Sequence, residues 1–182
     1  MAKTIFFVGG IRSGKSAAAL SWAWAQAKER HYIATARVRD QEMAERVHAH
    51  KKARGDGWCV HEEPIAVDTC IASILASHAT DTVIILDCLS AWVANLMEEG
   101  YDDAAIQKRV HDLVHLLATT HLPIGLVSLE VGLGIVPMSA LARRYGDVLG
   151  ACNQCIAQAC QTVLFFAVGL PLVLKGTLPE SL

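Results

Sequence analysis

Neither sign of charge dominates this chain. Its 16 lysines and arginines stand against 18 aspartates and glutamates, a formal charge of −2 at pH 7, and the sequence pI is about 6.4. That balance leaves no electrostatic footprint for DNA or RNA, so nucleic acid is not expected as a partner and acidic substrates have to be met by local cations. Long apolar runs are missing too. The longest, Val163 to Leu174, is broken by Gly169 and Pro171 and is shorter than the roughly 20 residues of a membrane helix, so no membrane insertion is expected. No secretory pattern precedes the first apolar run. There is no repeat, low-complexity tract or interdomain linker, and the whole of residues 1–182 reads as one domain with enough apolar content, 53%, for a substantial core. Of the six cysteines only Cys152 and Cys155 have suggestive spacing. With no second pair to complete a zinc site, they read as structural.

What is present is a complete phosphate-binding loop. Gly9-Gly10-Ile11-Arg12-Ser13-Gly14-Lys15-Ser16 matches G-x4-G-K-S, follows the apolar run Ile5 to Val8 and opens an alanine-rich stretch. The glycines let backbone N–H groups turn inward around phosphate oxygens, Lys15 reaches the β and γ phosphates, and Ser16 can join the shell of Mg2+. The helix that begins here adds its positive end. A nucleoside triphosphate is therefore the expected ligand, and with no export pattern the chain is expected in the cytoplasm with its cysteines reduced.

Strand-like and helix-like segments alternate, which predicts an α/β fold with a mostly parallel sheet and helices on both faces, of the P-loop NTPase type (RecA-like). Strands are expected near Ile5–Val8, His31–Thr35, Thr82–Leu86, Pro123–Leu129, Thr162–Val168 and Leu172–Leu174. Helices are expected over Ser16–Glu29, Asp40–Ala53, Val67–Ser77, Leu89–Met97, Asp103–Thr119 and Ser139–Gln161. A turn at Gly169-Leu170-Pro171 predicts an antiparallel edge hairpin.

Asp87 ends the run Val83-Ile84-Ile85-Leu86, which puts a carboxylate at the carboxyl edge of the sheet beside the loop, where a metal needs its second acidic partner. It also fits a helix N-cap, and the two roles are compatible. Met43, Val47 and His50 share one helix face, so His50 is expected to point where that helix packs, with Arg46 and Arg54 one turn to either side as cations for a phosphate. On sequence alone such a histidine also fits a solvated surface position.

Several blocks then fall into register. The loop at Gly9 to Ser16, Tyr32-Ile33-Ala34-Thr35-Ala36, the His50, Arg54, Trp58, Glu62 spacing and Asp87-Cys88-Leu89 resemble the bifunctional adenosylcobinamide kinase/adenosylcobinamide-phosphate guanylyltransferase family. Glu130-Val131-Gly132-Leu133-Gly134-Ile135-Val136-Pro137, Ala142-Arg143, Asp147, Gly150, Asn153-Gln154 and the segment from Gly169 to Lys175 extend the resemblance over nearly the whole chain. It implies two activities in cobalamin biosynthesis: phosphorylation of adenosylcobinamide by ATP or GTP, then transfer of GMP from GTP to the new phosphate through a guanylyl-histidine at the position of His50. It also implies nucleotide contacts at Gly9, Gly10, Ile11, Arg12, Ser13, Gly14, Lys15 and Ser16, at Ala34, Thr35 and Ala36, at Lys51, Lys52, Ala53 and Arg54, and at Glu62 and Asp87. Lys15 and His50 would be the catalytic pair, Ser16 and Asp87 the Mg2+ ligands, and the protein a homo-oligomer, a trimer.

Of these, Glu62 fits guanine, a ribose hydroxyl or simply an exposed acid beside Glu63. Two positions depart from the family pattern: Leu129 stands where it carries Asn, and Gly146 where a long polar residue is expected. These departures bear on corrinoid positioning and the kinase step rather than on nucleotide binding. A single-activity P-loop kinase of another small alcohol and a non-catalytic GTP-binding regulator remain the competing readings.

Overall fold

The computed structural model describes residues 4–77 and 80–182. Its elements alternate in chain order: β1 (Thr4–Gly9), α1 (Lys15–Trp24), β2 (Glu29–Ala34), α2 (Gln41–Arg54), β3 (Cys59–Glu62), α3 (Val67–Ser77) and β4 (Thr82–Asp87) come first. Then follow α4 (Leu89–Glu98), α5 (Asp103–Thr119), β5 (Ile124–Leu129), α6 (Ala140–Ala159), β6 (Thr162–Ala167) and β7 (Leu170–Lys175). The strands form one sheet in the order β3-β2-β4-β5-β1-β6-β7. Every pairing is parallel except β6 with β7, as the alternation of segments predicts.

Side chains on a strand point alternately to the two faces, and the middle of each central strand carries apolar residues on both, so both faces demand cover. Phe6, Val8, Ile33, Ile84, Leu86, Ile124 and Leu126 meet a layer built from α3, α4, α5 and α6. Ile5, Phe7, Tyr32, Val83, Ile85 and Val127 face the other way and meet Ala19, Trp22 and Ala23 of α1. Trp22 sits over Gly125 of β5, where a Cβ would lie 2.9 Å from the indole and 2.6 Å from Ile85 Cδ1. The missing side chain is what lets α1 settle onto the sheet.

Three details differ from expectation. Helix α1 ends at Trp24 and not near Glu29, because Asp81 captures the chain: its carboxylate accepts from Lys28 N and its carbonyl from Glu29 N, which starts β2 five residues after the helix. The hairpin turn is Val168-Gly169, both at positive φ, with Ala167 paired to Leu170. This two-residue geometry matches the right-handed strand twist, and it leaves Leu170 and Pro171 in the strand. Strand β3, Cys59–Glu62, is an addition at the sheet edge, exposed along most of its length.

Asp87 is the last residue of β4, and Cys88 occupies the N-cap of α4 without a side-chain cap. Of its two sequence roles, the strand-terminal carboxylate is the one the backbone adopts. Gly146 lies inside α6 with open space where its Cβ would be, and Leu129 offers its carbonyl to Asn153 Nδ2 at 3.0 Å.

Candidate nucleotide and phosphoryl-transfer site

The parallel strands all deliver their carboxyl ends to one edge, and the residues that could do chemistry collect there. The loop after β1 leaves the sheet at Gly9, where any Cβ would meet Phe166 O at 2.4 Å. Backbone packing alone thus excludes a side chain there. Arg12 takes the left-handed conformation (φ 55°) and Gly14 follows at φ 93°. A run of this kind turns successive N–H groups to one side and makes an anion cradle at the start of α1. The loop is tied down by Gly169 N, which donates to Ser13 O at 3.0 Å, while the buried Ser13 Oγ has no hydrogen-bond partner.

Lys15 is buried and its Nζ donates to Gly10 O at 3.0 Å. Burial lowers its pKa, and the Asp87 carboxylate works against that shift. A bound triphosphate would add negative charge on the same side and hold the ammonium protonated.

Asp87 is the meeting point. One of its oxygens, Oδ2, accepts from Tyr32 Oη at 2.8 Å and lies 3.9 Å from His50 Nδ1. Burial, then the neighbouring carboxylate, push the Tyr32 phenol far above its ordinary pKa, so it stays a donor. Thr35, buried, fixes the chain after Asp87: its Oγ1 donates to Cys88 O at 2.7 Å and accepts from Cys88 N at 2.9 Å. Asn95 in turn holds Thr35 O at 2.8 Å.

Helix α2 carries His50 over this edge without sinking into the core. It has no buried residue, and only Met43, Ala44, Val47 and Arg54 are half-buried. The expectation that His50 points into packing is corrected: its side chain is 55% exposed, and it hangs beside Asp87. The flanking arginines divide. Arg46 is bound to Glu42 at 2.6 Å, whereas Arg54 lays its guanidinium 4.4 Å from the Tyr32 ring. Trp58 meets Tyr32 edge-on at 5.8 Å and Trp24 at 6.3 Å, so the end of α2 rests on an aromatic buttress.

The other expected contacts are spread along the same edge. Lys51 Nζ pairs with Glu62 Oε1 at 2.9 Å, both exposed, and Lys52 and Ala53 face solvent. Ala34 ends β2 opposite Asp87, Thr35 follows with its N donating to Asp87 O at 3.2 Å, and Ala36 is exposed just beyond. Ser16 is half-buried in the first turn of α1. Its hydroxyl and the Asp87 carboxylate are hard oxygen donors of the kind Mg2+ takes, so the residues present fit that ion.

Two residues not singled out for the site from sequence belong to this edge. Tyr32 is hidden in an apolar strand opposite Ile85, and only the folded structure shows its hydroxyl reaching Asp87 two residues further along β4. Glu130, whose N donates to Gly9 O at 3.1 Å, closes the end of β5 against the loop.

Comparison with known proteins bears directly on this edge. A family model described as "Cobinamide kinase / cobinamide phosphate guanyltransferase" matches residues 5–174. The chain belongs to that family. It is 39% identical over 170 residues to the bifunctional adenosylcobalamin biosynthesis protein CobP of Pseudomonas aeruginosa, covering 93% of this chain and 95% of that protein. To the bifunctional adenosylcobalamin biosynthesis protein CobU of Salmonella typhimurium it is 36% identical over 183 residues, covering 94% of this chain and 99% of that protein. The RadB recombinase crystal structure superposes on all of the chain and 84% of its own length with a TM-score of 0.56 at 13% identity. That likeness establishes the RecA-like P-loop fold on which this cobinamide kinase/guanyltransferase family member is built. The loop, His50 and Asp87 all fall inside the matched span.

Tyr32→Phe tests the role given to the phenol. It keeps the aromatic buttress but removes a buried hydrogen bond to a charged group, so urea unfolding should show a loss of about 1–3 kcal/mol. An unchanged stability would show that Asp87 does not depend on Tyr32.

Proposed function

We propose that this chain phosphorylates adenosylcobinamide with a nucleoside triphosphate and then moves GMP from GTP onto the product, and that a guanylyl-His50 intermediate links GTP to the second acceptor. The carrying observation is the placement of His50 Nδ1 at 3.9 Å from Asp87, on the edge that also holds the phosphate loop.

In the kinase step, the loop N–H groups and Lys15 bind the phosphate tail, with Lys15 exchanging Gly10 O for phosphate oxygens. The adenosylcobinamide hydroxyl attacks the γ-phosphorus, loses its proton and displaces the nucleoside diphosphate. Either ATP or GTP serves, since the loop reads phosphates and not bases. Mg2+ held by Ser16 and Asp87 would neutralise charge on the phosphates.

In the guanylyl step, the carboxylate beside Nδ1 favours the tautomer with its proton there and leaves the Nε2 lone pair as nucleophile. Nε2 attacks the α-phosphorus of GTP, the α–β P–O bond breaks, and pyrophosphate leaves. A phosphate oxygen of adenosylcobinamide phosphate then attacks the same phosphorus, the P–N bond breaks, and adenosylcobinamide-GDP is released with free His50. Lys51, Lys52 and Arg54, from the last turn of α2, supply cations on the His50 side. Glu62 reads the guanine or its ribose. The shallow seating of α2 allows it to swing toward the loop when nucleotide binds.

We also infer a homo-oligomer, a trimer by resemblance. Strand β7 is an edge strand with Leu170, Leu172, Val173 and Leu174 exposed, and the segment after β5 leaves Ile135 and Met138 98% exposed. An apolar edge of this kind is ordinarily covered. Sedimentation equilibrium of the wild type should give a multiple of the chain mass, and a charged residue at Leu172 should reduce it; a wild-type monomer contradicts the inference.

Incubation with α-labelled GTP and Mg2+ tests the intermediate. The expected result is label retained after denaturation, stable to base, lost in acid and absent from His50→Ala. GTP bound without label in the wild type, with phosphorylation of adenosylcobinamide still measurable, would leave the single-activity kinase in its place.

A further inference from the structure

Far from the phosphate loop along the sheet, the edge formed by β2 and β3 gathers two imidazoles and a thiol. The parallel register sets His31 opposite Cys59 and Ile33 opposite His61. Cys59 and His61, two apart on β3, therefore share the face that His31 presents from β2. His31 Nδ1 lies 2.9 Å from His61 Nε2, and Cys59 Sγ lies 3.6 Å from the same Nε2. One donor atom from each residue lies within 4.8 Å of the others. We propose that His31, Cys59 and His61 form a zinc-binding site at this edge, with a fourth position open to solvent.

The spacing suits that ion. With Zn–S about 2.3 Å and Zn–N about 2.0–2.1 Å, a tetrahedral centre separates sulfur from nitrogen by roughly 3.5 Å and two nitrogens by roughly 3.3 Å. The distance from Cys59 Sγ to His61 Nε2 is already met, Cys59 Sγ and the His31 ligand nitrogen lie within 4.8 Å, and the two imidazoles have to part by roughly 0.4 Å on that same geometry. A soft thiolate with two imidazoles selects a borderline ion over Mg2+, which prefers oxygen.

A second observation points the same way. Glu29 Oε1 lies 3.5 Å from His31 Nε2, and Glu29 Oε2 accepts from Thr82 Oγ1 at 3.3 Å. A carboxylate on the far nitrogen favours the tautomer that leaves Nδ1 as the ligand atom, the arrangement metal-bound histidines ordinarily have. His31 is buried, His61 half-buried and Cys59 exposed, so the site has one enclosed ligand and an open entry. On binding, Cys59 gives up its thiol proton to solvent, and neutral His61 exchanges its Nε2 proton for one on Nδ1 so that the Nε2 lone pair can coordinate. The ion then clamps β3, and with it Glu62, onto β2.

The test uses the full chain, free of any affinity tag and stripped of metal, titrated with Co2+ and followed by absorbance, then competed with Zn2+. The expected result is an intense tetrahedral visible spectrum with a sulfur-to-cobalt charge-transfer band, both displaced by Zn2+. Cys59→Ser should lose the charge-transfer band, and His61→Gln should weaken Zn2+ binding at least tenfold. Asp87→Asn should leave both signals in place, which separates this site from the nucleotide's Mg2+. Because Cys59 and His61 are not core residues, far-UV circular dichroism of both variants should match the wild type. A weak octahedral cobalt spectrum, or equal Zn2+ affinity in wild type, Cys59→Ser and His61→Gln, overturns the proposal and leaves the two imidazoles sharing a proton without metal.

Discussion

A single carboxylate at the end of a buried strand governs how the rest of the functional edge is arranged. Asp87 has little exposure, 10% of its side chain, and an ionised group so placed has to be matched by donors and opposite charge. Tyr32 supplies the hydrogen bond, Lys15 a counter-charge, and His50 the third neighbour. Each comes from a different element: β2, the phosphate loop, and α2. The same need that places these groups around a carboxylate brings a cation, an imidazole and a hard oxygen donor together at one edge of the sheet.

The sheet makes this convergence possible. Strand β5 stands between β1 and β4, so the strands that lead to the loop and to Asp87 lie two steps apart, roughly 10 Å at about 4.8 Å per step. Gly125 in β5 lets Trp22 anchor α1, and the absence of a side chain at Gly9 lets the loop depart against Phe166. Helices α3 to α6 hold the opposite face, which frees the α1 face to carry a second, loosely seated helix. A loop tied to β6 and the hairpin, beside a helix with no buried residue, is an arrangement compatible with the two reactions proposed above.

Much of this was legible in the chain. The apolar runs of β1, β4 and β5 and the loop between β1 and α1 have strong local signatures, and Asp87 follows from one of those runs. The end of α1 was not, because the alanine-rich stretch keeps its helical propensity past Trp24 while Asp81, more than fifty residues on, draws the chain into β2. Strand β3 was missed because Cys59-Val60-His61-Glu62 has no apolar alternation and gains its order only from pairing with β2. His50 needed the family resemblance: its helix has almost no buried stripe, so periodicity suggested packing where the structure has overhang. Tyr32 illustrates the deeper limit, since a tyrosine in an apolar strand reads as core until the fold shows its hydroxyl reaching Asp87, two residues past its register partner Ile85.

The central claim is that one carboxylate serves both half-reactions, and Asp87→Asn measured in parallel tests it most directly. Single-turnover rates would be followed for phosphate transfer to adenosylcobinamide and for label capture from GTP, with folding checked by circular dichroism. The account predicts that both rates fall together, each by about 10²-fold or more as expected for loss of a positioned charge at a phosphoryl centre. Full retention of either half-reaction in a folded Asp87→Asn protein would contradict it.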